Sequence, residues 1–72
     1  MSLTAGEKIK VILKRRNKTI TELAAAIGTT RQNMTNKFSR DNFNEKELND
    51  IAEALDCDFD MSFVLRDTQE RI

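Results

Sequence analysis

The sequence predicts a mainly α domain of four short helices followed by one C-terminal β-strand. Three observations carry that prediction. Thr4/Glu7, Thr19/Glu22 and Asn44/Glu47 each have the spacing of a capping box, in which an oxygen accepts from the third helical amide and the carboxylate reaches back to the cap. Apolar residues recur at helical spacing behind each box. Beyond residue 57 the period changes to alternation, the pattern of a half-buried strand. A chain of 72 residues makes one domain, spanning 1–72. It lies near the size at which a single core is only marginally stabilising, so help from a second subunit is expected.

The first helix is expected over about residues 5 to 16, with Ile9, Ile12 and Leu13 on one face and Lys10, Lys14 and Arg15 off it. Asn17 suits the left-handed residue that ends a helix. The second helix opens at Thr19 and buries Ile20, Leu23, Ala24 and Ile27. Gly28 stops it, because a positive φ costs glycine almost nothing. Thr30 is the expected N-cap of a third helix over about 31 to 39. A fourth follows over about 45 to 55, buried through Leu48, Ile51, Ala52 and Leu55.

In "CDFDMSFVLRD", residues 57–67, Cys57, Phe59, Met61, Phe63 and Leu65 alternate with Asp58, Asp60, Ser62, Val64 and Arg66. A helix that pairs Phe59 with Phe63 is the alternative. One strand cannot satisfy its own amides. The economical partner is the same strand of a second copy, antiparallel about a twofold axis, with Phe59, Met61, Phe63 and Leu65 at the dimer contact. Asp67-Thr68-Gln69-Glu70 could instead turn the chain into a short hairpin, which is compatible with dimerisation.

Composition narrows the chemistry. Hydrophobic content of 39% with 33% charged residues is that of a folded soluble domain. There is no histidine, tryptophan or tyrosine, and Cys57 is the single cysteine, which leaves no intrachain disulfide and no zinc ligand set. Cys57 reads as a small buried hydrophobe, with a redox or intersubunit role as the alternative. No nucleophile, base and oxyanion donors come together, and no glycine-rich phosphate loop exists; the chain is expected to be no enzyme and to need no cofactor. The longest apolar run is Leu23 to Ile27, too short for a membrane span or signal-peptide core, so a cytoplasmic location is expected.

A net charge of zero conceals a dipole along the chain. Residues 1–40 hold nine Lys/Arg against Glu7 and Glu22, a net +7, and residues 41–72 hold three against ten acids, a net −7. A basic half suggests a polyanionic partner; two solvated faces that attract one another are the other explanation. Lys14-Arg15-Arg16 is equally a solvated helix end or an auxiliary phosphate patch. The acidic run in the tail fits a solvated face, or a group that keeps the dimer end away from a duplex.

The third helix carries the functional signal. Ala24, Gly28 and Met34 fall where a helix-turn-helix needs a small residue at the closest approach, a glycine in the turn and an apolar anchor in the second helix of the pair. At about 100° per residue, Met34 and Phe38 face the core, Gln32 and Asn36 point nearly opposite, and Arg31 lies on the flank. Amides can bond adenine in bidentate fashion and a guanidinium can donate twice to guanine. A merely soluble face would favour Glu, Lys and Ala, which are better helix formers.

Through "TITELAAAIGTTRQNMTNKF" and "NEKELNDIAEALDCDFD", residues 8–58 resemble the DNA-binding domain of the Cro and phage-repressor family, also called the xenobiotic-response-element type. The resemblance implies a compact four-helix, lambda-repressor-like helix-turn-helix domain whose third helix lies in the major groove. It makes Arg31, Gln32 and Asn36 base readers. Thr30 is placed near a phosphate, with Lys37, Arg40, Asn42, Lys18 and Thr19 as further backbone contacts.

Four positions depart from the family pattern. Ile20 stands where a phosphate-clamping glutamine is usual, Arg40 replaces the glycine after the third helix, and Lys37 replaces an apolar residue. Leu13 and Phe38 stand where many members bury an arginine and a glutamate, an exchange that removes a desolvation penalty; contact between them is expected. The function implied is a homodimeric, sequence-specific transcriptional regulator, most naturally a repressor, that reads a near-palindrome in double-stranded DNA with two helices about 34 Å apart. The alternative is a protein-interaction adaptor or antitoxin-like module on the same fold.

Overall fold

Each helix begins where a side chain replaces a missing backbone partner. In the computed structural model, which describes residues 3–72, the helices are α1 (Ala5–Arg15), α2 (Ile20–Ala26), α3 (Arg31–Arg40) and α4 (Glu45–Ala54). All three expected capping boxes are formed, at Thr4/Glu7, Thr19/Glu22 and Asn44/Glu47. Thr30 caps α3 by accepting from the Asn33 amide at 3.1 Å.

The four helices also end alike. Asn17, Gly28, Asp41 and Asp56 follow them with φ of 57°, 78°, 51° and 57°. Behind each, the next amide returns to a carbonyl in the last turn: Lys18 to Leu13, Thr29 to Ala24, Asn42 to Lys37 and Cys57 to Ala52, at 2.8–3.2 Å. This closure satisfies carbonyls that the helix leaves unpaired. The sequence predicts it at Asn17 and Gly28 only. After α3 the left-handed residue is Asp41, so Arg40, at the family's glycine position, stays inside the helix and the turn starts one residue later.

Ile9, Leu13, Leu23, Ala24, Met34, Ile51 and Leu55 form the buried core, and Ile12, Ile20, Ile27, Phe38, Phe43 and Leu48 pack against it half-buried. Leu23, Met34 and Leu55 are each 1% exposed, and burying one such side chain stabilises by about 1.5–3 kcal/mol. The central helix α2 packs against both α3 and α4. Ala24, 1% exposed, leaves room for that approach because its side chain ends at Cβ. Phe38 rests against the cluster that contains Leu13; its ring meets Phe43 edge-on, with centroids 5.5 Å apart, and lies under the Lys10 ammonium.

The tail corrects the sequence reading. No β-strand forms among the described residues, and the expected pairing of such a strand with a second copy falls with it. The chain instead folds back on itself through a turn at 66–68 and a single antiparallel bridge between Val64 and Arg71. Phe63 and Ile72 exchange both backbone bonds, and the Leu65 amide donates to the Glu70 carbonyl. The local turn answers the same need that a partner strand would, since these amides require acceptors. Alternation produces no buried face either: Phe59 is half-buried, whereas Met61, Phe63 and Leu65 are 52%, 70% and 41% exposed. The radius of gyration is 13.7 Å, above the roughly 11 Å of a compact chain this long, as expected when a tail projects. No helix among the described residues is long and apolar enough to cross a membrane.

Candidate nucleic-acid interface

The α2–α3 turn positions the candidate face. Gly28 supplies the left-handed step, the Thr29 amide closes α2 at 2.9 Å on Ala24, and the Asn33 amide group donates to the Thr29 hydroxyl at 3.3 Å. These bonds fix the angle at which α3 leaves the turn. Met34 then locks the rotation of α3, because it is the one fully buried residue of that helix.

With Met34 inward, Arg31, Gln32, Asn33, Thr35, Asn36, Ser39 and Arg40 are all exposed. Gln32 Nε2 donates to Asn36 Oδ1 at 3.4 Å, so the two amides already lie side by side on the outer surface. Thr35 and Ser39 complete that surface; the sequence reading omits them, although the same 100° count places both outward. Thr30 stands at the N-terminal end of α3, where free amides and the helix dipole favour an anion.

Of the backbone-contact candidates, Lys18, Thr19, Arg40 and Asn42 are exposed. The Thr19 hydroxyl accepts from the Glu22 amide at 3.1 Å. Lys37 is drawn elsewhere: its ammonium forms an ion pair with Glu47 of α4. Glu47 Oε1 also accepts from the Asn44 amide at 3.0 Å. That backbone bond first, and then Lys37, hold the Glu47 carboxyl below its ordinary value.

The charge dipole is not cancelled internally. Two ion pairs form among the described residues, Lys37–Glu47 and Lys46–Asp50, so eight of the nine cations in residues 1–40 have no carboxylate within ion-pair distance. Arg16 spends its guanidinium on the Asp56 carbonyl at 3.1 Å. Unpaired cations and an exposed amide face on one small domain suit a phosphate polymer with readable edges.

Residues 8–60 match the family model of the Cro/C1-type HTH DNA-binding domain. The chain belongs to this family. No curated protein and no solved structure matched it. The match spans α2, the turn and α3, so the helix-turn-helix of this DNA-binding domain family falls within it. The Cro/C1-type match covers the three residues on which the helix-turn-helix pattern rests, Ala24, Gly28 and Met34.

Proposed function

We propose that this protein is a sequence-specific transcriptional regulator of the repressor type, a binding protein without catalytic activity. Arg31, Gln32 and Asn36 read base edges in the major groove; Thr30, Arg40, Asn42, Lys18 and Thr19 hold phosphates. Lys37, already paired with Glu47, serves chiefly to seat the helix and contacts the backbone only by exchanging that partner. The observation that carries this function is the outward amide face of α3 above fully buried Met34, since bidentate groups at adjacent turns match the donor and acceptor code of the major groove.

Two copies act together on a near-palindromic site, with recognition helices about 34 Å apart. The dimer contact uses the side chains of Phe59, Met61, Phe63 and Leu65 as an apolar patch rather than as a strand in a shared sheet. Support comes from the exposure of Met61, Phe63 and Leu65 in the single chain, because large apolar side chains left clustered on a surface favour association.

Selection of bound fragments from a random DNA pool tests the whole proposal. The expected result is a twofold-symmetric sequence with half-sites about one helical turn apart, bound with an affinity that falls steeply as salt is added. Recovery of no preferred sequence, together with duplex binding that is absent or insensitive to salt, would instead favour a protein-interaction adaptor on this fold.

A further inference from the structure

The turn that follows α3 contains an acid where a DNA-facing loop has least use for one. Asp41 lies between Arg40 and Asn42, both assigned to phosphate contacts, and a carboxylate turned outward there would repel the backbone it adjoins. Its carboxylate is engaged by α1 instead: Asp41 Oδ1 accepts from the Gly6 amide at 2.8 Å, across 35 residues of sequence. Gly6 lies in the first turn of α1, where free amides and the helix dipole stabilise a negative charge.

The contact is built for close approach. Gly6 is buried, and a Cβ on it would meet Asp41 Oδ1 at 2.9 Å, with Phe38 Cδ1 at 3.5 Å and Phe43 Cε2 at 3.7 Å. Asp41 also adopts φ 51°, a conformation that glycine adopts at lower cost. The turn alone therefore gives no reason for an aspartate. Its carboxylate ties the end of α3 to the start of α1, and the Phe38–Phe43 edge contact spans the same loop.

We propose that Asp41 is a positioning residue for DNA binding: its bond to Gly6 fixes the turn so that Arg40 is presented to a phosphate. The proposal rests on the DNA-binding function proposed above. Arg40, exposed and without an ion-pair partner among the described residues, is the cation whose placement the turn controls.

The test is a salt titration of binding to a mixed-sequence DNA duplex of about two helical turns, run well below each variant's unfolding temperature. Loss of one phosphate contact lowers the slope of log K against log salt by about 0.9. Asp41→Gly keeps the left-handed turn and is expected to lower the slope by about that amount per bound copy. Removal of a negative charge alone would strengthen binding, so the expected sign opposes the simple electrostatic effect. Arg40→Ala should lower the slope equally, and the double variant no further than either single one. Asp41→Asn keeps an acceptor for Gly6 and should restore the slope. Gly6→Ala, which crowds the carboxylate from the other side, should reproduce the loss and stands in if Asp41→Gly fails to fold. A wild-type slope in Asp41→Gly or, where that variant does not fold, in Gly6→Ala overturns the positioning role and leaves DNA binding intact. So does an Arg40→Ala effect of undiminished size in the Asp41→Gly background. Salt-insensitive binding by the wild-type protein overturns both.

Discussion

Lys37 of α3 is ion-paired with Glu47, whose other carboxylate oxygen closes the capping box of α4 on Asn44. One side chain thus joins the start of α4 to α3. The Glu47 carboxyl is held below its ordinary value of 4.5, by the Asn44 amide first and Lys37 second. A carboxyl depressed by folding contributes stability that is present above its unfolded pKa and lost as pH falls through the folded value. The melting temperature should therefore decline as pH drops below about 4.5. Glu47→Gln can still close the box but carries no charge, so it should be less stable than wild type at neutral pH and the difference should shrink in acid. Thermal melts of both proteins from neutral pH to about pH 3 check this; a constant gap would remove Glu47 from the acid response.

Gln32 and Asn36 already share a hydrogen bond on the outer face of α3. That bond orients both amides before any base arrives, which reduces the ordering cost of binding. Gln32→Ala should cost about 1–3 kcal/mol and relax preference at one base position per half-site. Competition among single-base variants of the selected site measures it. Equal weakening on every sequence would move Gln32 to the phosphate contacts.

Local signals in this chain were readable and long-range ones were not. The capping boxes and the stripes of α1, α2 and α4 depend on residues three or four apart, so the sequence exposes them directly. The register of α3 was readable from Met34, because one large apolar residue in a polar helix leaves a single way to bury it. The turn at Asp41 was not, since its reason lies 35 residues away at Gly6, and the pairing of Lys37 with Glu47 was hidden in the same way. The tail misled for a different cause: alternation between Cys57 and Leu65 encodes an extended chain, but a strand also needs a neighbour. Its neighbour in the chain is residues 70–72, which carry no strand pattern of their own.

Met34 anchors α3 at 1% exposure. Met34→Ala should destabilise by about 2–5 kcal/mol, through lost burial and the cavity left behind. That is a large share of the roughly 5–15 kcal/mol typical of whole domains. Urea denaturation should show a lower midpoint with an unchanged slope. An unchanged midpoint would mean that Met34 does not anchor α3.

Asp56 and Asp41 end their helices in the same left-handed conformation, φ 57° and 51°, but only the Asp41 carboxylate reaches a distant amide among the described contacts. Asp56→Gly should raise stability by about 1 kcal/mol, because the strain of a Cβ in this conformation is relieved. Asp41→Gly gains the same relief but loses the bond of a charged acceptor to the buried Gly6 amide, for a net loss of about 1 kcal/mol. Paired denaturation curves settle the comparison, and equal shifts in both would show that the carboxylate bond contributes nothing.

Phe63 and Ile72 exchange backbone bonds across the tail turn and leave both side chains 70% exposed. Those side chains touch little in the single chain, so replacing them with serine removes apolar surface without opening a cavity. Ile72, paired with Phe63, adjoins the apolar patch; if that patch is the dimer contact, the wild-type protein sediments as a dimer and Phe63→Ser/Ile72→Ser as a monomer. Because dimerisation stabilises by mass action, the wild-type melting temperature should rise with protein concentration and that of the double variant should not. Binding to one half-site should survive in the variant, while affinity for the full two-half-site sequence should fall steeply, since the second contact is no longer intramolecular. A wild-type protein that sediments as a monomer and melts independently of concentration would leave this apolar patch without its assigned role.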